Sequence, residues 1–142
     1  MSATQHVLSP RELSPREVFD HMRRRWLNDE SIGDLLAEDV VLETPFAPPG
    51  RPTRIEGRDR FLAIAEPQRA ALPVRFEAAP VLAVHDTLDP EVIVVEYELA
   101  GTITTTGRKA SAPFIGVLRA RDGKIVQWRE YQHTQAMAAA LA

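Results

Sequence analysis

Cysteine is absent from this 142-residue chain. That removes disulfides, thiolate metal sites, iron–sulfur clusters and thiol nucleophiles together. Lysine is almost absent too. Lys109 and Lys124 are the only two, and arginine supplies the rest of 17 basic residues set against 20 acidic ones. The densest basic run is Arg23-Arg24-Arg25. It makes no basic stripe of the kind a nucleic-acid face carries. No apolar run reaches the roughly 18 residues that a bilayer span requires. The polar N-terminus, with its two Ser-Pro pairs, does not read as a secretory signal. The histidines, His6, His21, His85 and His133, show no HExxH spacing. The expectations are a cytoplasmic protein, no metal or organic cofactor, and neither nucleic acid nor membrane as partner.

What the chain does have is the composition of one globular domain: 44% hydrophobic and 26% charged residues. Residues 1–13 read as a flexible arm, 14–134 as the domain and 135–142 as an alanine-rich helical tail. Ser14, Pro15 and Glu17 form a helix start with a capping box. Val18, Met22 and Trp26 follow on one helical stripe, with Phe19 alongside. A short helix is expected over 32–37 behind a Ser31 cap, a strand over 40–46, and a loop through the prolines that follow. A third helix starts near Gly57 and is expected to end or kink at Pro67. Strands are expected over 74–86, 91–104, 108–120 and 124–133. Helices ahead of an antiparallel meander indicate an α+β fold, a curved sheet around a pocket that the N-terminal helices close.

Hairpin loops give the sheet a register. A three-residue loop with glycine last, Thr105-Thr106-Gly107, pairs Thr104 with Arg108. Arg121-Asp122-Gly123, treated alike, pairs Ala120 with Lys124. Glu98, Phe114 and Glu130 then form one row, and Glu96, Gly116 and Trp128 the next on the same face. The other face carries Val95, Tyr97, Leu99, Ile115, Val117, Arg129 and Tyr131. It is apolar as well, so alternation alone does not choose the inner face. Two apolar faces imply a homodimer joined through the outer one.

Three stretches resemble the SnoaL-like branch of the nuclear transport factor 2-like superfamily. They are Leu42-Glu-Thr-Pro-Phe-Ala-Pro-Pro-Gly with Ile55-Glu-Gly-Arg58, Val-Val-Glu-Tyr-Glu-Leu-Ala-Gly at 94–101, and the hairpin from Ile115 to Tyr131. The resemblance implies a cone-shaped α+β barrel with a mixed, mostly antiparallel sheet, its pocket lined by the Glu96, Glu98 and Glu130 face. Ketosteroid isomerase-like members keep an aspartate where Thr44 falls, so that base is missing. Limonene epoxide hydrolase-like members carry Arg, Asp and Asp where this chain has Glu96, Glu98 and Glu130. The PhzA/PhzB-like branch is the most similar, with Arg129-Glu130-Tyr131 matching its Arg-Glu-aromatic motif.

Carboxylates that share a site or lose water bind protons more tightly, and a glutamate poised near neutrality serves as a general acid or base. The catalytic candidates are therefore Glu130, Glu96 and Glu98. Expected ligand contacts are Met22, Trp26 and Phe61 from the helices and Leu42, Thr44 and Phe46 from the first strand. Ala112, Phe114, Gly116 and Trp128 are expected to join them from the last hairpin. The reading is an isomerase, cyclase or condensation-assisting enzyme for a small hydrophobic, oxygenated metabolite. The alternatives are an epoxide hydrolase-like enzyme and a non-catalytic binding module.

Overall fold

In the computed structural model, which describes residues 12–142, helix α1 spans Pro15–Leu27. The Ser14 hydroxyl accepts from the Glu17 N–H at 3.2 Å, and the Glu17 carboxylate accepts from the Ser14 N–H at 2.9 Å. This is the reciprocal cap that the sequence implies. The expected arm, residues 1–13, lies outside the described residues as far as position 11. Leu13 packs on the core.

The expected second helix is only a 3-10 turn, Gly33–Leu35. Strand β1 (Leu36–Glu43) begins at once, because Leu36 already pairs with Ile125. Strand β2 (Arg54–Glu56) folds back on β1, and α2 (Arg58–Ala71) follows. Helix α2 runs through Pro67. Ala63, whose carbonyl loses its partner there, is exposed, and Arg69 beyond it is tied to Asp29 at 2.6 Å. The expected strand 74–86 is two strands, β3 (Val74–Ala78) and β4 (Val81–Asp86). The break is at Ala79-Pro80, since proline brings no N–H to a ladder. Strands β5 (Val92–Ile103), β6 (Lys109–Arg121) and β7 (Lys124–Gln132) and helix α3 (Thr134–Leu141) complete the chain.

The sheet order is β2-β1-β7-β6-β5-β3, with β4 also on β5. Among the described strands only β1–β7 is a parallel pair. The outer members β2 and β3 do not meet, so the curved sheet stays unclosed. Its inner face receives α1: Val18, Phe19 and Met22 join Tyr97, Leu118 and Trp128 in the core.

Both hairpins depart from the expected register. The β5–β6 loop has four residues, Thr104 to Gly107. The Thr104 N–H leaves the ladder for the Pro73 carbonyl at 2.9 Å, and the Ile103 carbonyl closes the turn on Thr106 and Gly107. Tyr97 therefore faces Phe114, Glu98 faces Pro113 and Glu96 faces Ile115. This one-residue slip turns all of β5 over. The β6–β7 turn has two residues, Asp122-Gly123, both at positive φ (54° and 74°), with a bulge near Ala120. Gly116 now faces Glu130, and Phe114 faces Gln132. That shift is two residues, so β7 keeps its parity and Glu130 stays inside.

Candidate active site

The corrected register brings together a tyrosine and a glutamate that sequence reasoning put on opposite faces. Tyr97, expected outside, is fully buried, and its hydroxyl donates a hydrogen bond to Glu130 Oε2. Gln132 Nε2 donates to Glu130 Oε1 at 2.9 Å. Phe114 stacks on Tyr97 at 5.5 Å and 14°, while Phe19 and Trp26 close around it at 5.5 and 5.6 Å. A signal for this cluster was available in Gly116. A Cβ there would lie 2.1 Å from the Trp128 ring, so the glycine is what lets that indole lie across β6.

Glu130 is half-buried and forms part of the wall of a cavity of about 300 Å³. Its pKa is raised, chiefly because the surrounding protein replaces water; the hydrogen bonds from Tyr97 and Gln132 pull it back down in part. The Tyr97 hydroxyl is pushed well above its ordinary value by burial and by the neighbouring carboxylate. It is therefore a permanent proton donor in this pair at physiological pH.

Of the expected ligand contacts, Trp26, Leu42, Thr44, Phe61 and Trp128 line this cavity. Ala112 and Phe114 line a second space, about 220 Å³, which shares Glu130 with the first. Three expected contacts fall elsewhere. Met22 is fully buried in the core, Gly116 lies beneath Trp128, and Phe46 is 60% exposed on the outer side against Tyr131. The expectation of three inward acids also fails. Glu96 lies on the outer face, 2.6 Å from His85 Nε2, and Glu98 points the same way, because the β5 slip carries both out of the cavity. Sequence reasoning missed Tyr97, Gln132 and Arg51. Arg51 lines the cavity, and among the described residues its guanidinium has no hydrogen bond or ion pair. Among those residues, too, no group of three His, Asp or Glu is placed to hold a metal.

A SnoaL-like domain model matches residues 16–128. The chain belongs to the SnoaL-like family. A PhzA/B-like protein of uncharacterised function from Pseudomonas aeruginosa is 34% identical over 131 residues, covering 88% of this chain and 91% of the relative. A Bacillus subtilis crystal structure, provisionally described as an isomerase, superposes with a TM-score of 0.80 at 25% identity, covering 89% and 91%. A phenazine biosynthesis-related protein from P. aeruginosa does so at 0.66 and 23%, covering 89% and 84%. This SnoaL-like chain thus has the nuclear transport factor 2-like fold, shared also with structures described as polyketide cyclases and an LEH-like epoxide hydrolase.

One consequence concerns stability. A carboxyl that binds its proton more tightly in the folded chain than in the unfolded one penalises folding as pH rises from the ordinary glutamate range through the raised value. Glu130→Gln removes that penalty. Both partners can adapt, the Tyr97 hydroxyl by rotating and the Gln132 amide by flipping. Thermal melts should show Glu130→Gln more stable than the parent at pH 8, with the difference vanishing below about pH 4. Equal stability at pH 8 contradicts the buried-carboxylate reading.

Proposed function

We propose that this SnoaL-like protein is an enzyme that moves a proton on a small, hydrophobic, oxygenated metabolite, with Glu130 as the general acid/base. The observation that carries the reading is a single carboxylate of raised pKa on the wall of a cavity of mixed apolar and polar lining, held by two donors. Desolvation brings the proton affinity of Glu130 toward that of its task, and the donors fix its orientation. As base, Glu130 takes a proton from the carbon next to a substrate carbonyl. As acid, it returns the proton at another atom. Both isomerisation and cyclisation can be built from those two half-steps. The Tyr97 hydroxyl and the Gln132 amide touch Glu130 and stabilise its charged form between them. Arg51, lining the cavity from the proline-rich loop, faces the oxygenated part of the substrate.

The epoxide hydrolase reading requires a second acid beside the first. Glu96 and Glu98 lie outside, and Glu43, the other glutamate among the lining residues, has its carboxylate tied to Gln127 at 2.8 Å and Arg129 at 3.4 Å, which favours proton transfer on carbon over activation of water. Exchange of the α-protons of 2-nonanone in D2O, followed by proton NMR, tests the proposal without knowing the natural substrate. The parent protein should accelerate exchange, and Glu130→Gln should lower that acceleration by about 10²–10⁴-fold, the usual worth of such a group. Equal acceleration by the two proteins removes Glu130 from the chemistry. No acceleration by the parent favours the binding-module reading.

The proposed homodimer retains a smaller outer face than the sequence implied, because Val95, Tyr97 and Leu99 belong to the inside. Phe46, Leu82 and Ile115 remain 60%, 57% and 43% exposed there. The same face holds Glu96 and Arg129, charges of opposite sign that a twofold axis can bring together. Light scattering at micromolar concentration should report a dimer that Ile115→Glu dissociates. A monomeric parent contradicts it.

A further inference from the structure

The space behind helix α3 differs in kind from the cavity on the other side of Glu130. The two share Phe76, Leu99, Glu130 and Gln132, so they are lobes of one site with the carboxylate at the waist. The first lobe carries Thr44, Gln68 and Arg51 among its walls. In the second, the polar side chains among the described residues are Ser111 and the shared Glu130 and Gln132; the rest is aliphatic or aromatic.

Helix α3 covers this lobe without filling it. It is built almost wholly of alanine, methionine and leucine, yet none of its residues is buried. Its position is fixed at both ends. His133 Nδ1 accepts from the Ala136 N–H at 3.0 Å, and Arg108 donates to the Ala140 and Ala142 carbonyls at 2.9 and 3.0 Å. Leu72 and Leu141, 37% and 44% exposed, are both among its lining residues. Apolar side chains arranged around empty apolar space gain free energy from an apolar occupant.

We infer that the α3 lobe is a subsite for an unbranched or weakly branched hydrocarbon chain, so that the substrate is two-ended. Its oxygenated head occupies the Arg51 lobe, its reacting carbon meets Glu130 at the waist, and its tail runs beneath α3. This rests on the acid/base reading for the placement of the reacting carbon, but not for the tail subsite itself. Ala140, on α3, and Ala112, on β6, are two of the small residues that leave room for the tail.

The test is binding of 2-alkanones from five to eleven carbons, followed by tryptophan emission. Both tryptophans of the chain, Trp26 and Trp128, line the first lobe and report occupancy of the site. Kd should fall about fourfold per added methylene until the lobe is full, then level off. Ala140→Phe should bring the plateau forward by at least two carbons and leave the shortest ketones unaffected. Ala112→Leu should do the same from the opposite wall, should the first variant not fold. Glu130→Gln should retain the parent's dependence on chain length even where it abolishes proton exchange. Loss of exchange with an intact length series upholds both readings. A flat series with exchange lost in Glu130→Gln overturns the tail subsite alone, as expected if a second copy of the chain covers the lobe. A length series unchanged in both filling variants places the chain elsewhere and overturns it too.

Discussion

The arrangement of the site depends on one buried hydrogen bond, from the Tyr97 hydroxyl to Glu130. It joins β5 to β7 across the intervening β6, a span of roughly 10 Å between backbones. Two side chains must reach toward each other to close that distance, and β6 must leave them room. Phe114 supplies a flat surface for Tyr97, and Gly116 leaves space for the Trp128 indole. A buried carboxylate without donors costs far more than one with two, so the Gln132 amide adds to what the tyrosine does.

That constraint also connects the fold to the chemistry. Burial raises the proton affinity of Glu130 and the donors limit the rise. Sheet curvature supplies the burial, and α1 supplies Phe19 and Trp26 as part of the wall. The carboxylates paired with cations have a different environment. Glu43 is held below the usual carboxylate range by Gln127 and Arg129, and Glu77 is brought down to about 2 by Lys109, Arg75 and Thr102. Paired acids of this kind remain charged and fasten strands. Among the described glutamates with a resolved shift, only Glu130 moves the other way.

The sequence made the α1 cap, the α+β order and the family legible, because those depend on local signals: Ser14-Pro15 with Glu17, apolar periodicity and turn residues. It did not reveal which face of β5 is inside. Thr104 decides that by donating to Pro73 rather than to Arg108, a contact between segments about thirty residues apart. One residue of loop length moved Tyr97 in and Glu96 and Glu98 out. Glu130 faces inward in either register, because the β6–β7 pairing differs from the expected one by two residues. Pro67 shows the same limit on local rules, since α2 continues past it to Ala71.

The proposed proton transfer depends on the ionisation of Glu130 and on what Tyr97 does to it. Carboxyl-13C NMR of glutamate-labelled protein, with Glu130→Gln to identify the resonance, measures both. The Glu130 resonance should titrate above the ordinary glutamate value, and in Tyr97→Phe it should titrate higher still, because one donor to the charged form is gone. A Glu130 that titrates at or below the ordinary value, or that ignores the loss of the Tyr97 hydroxyl, would contradict the account.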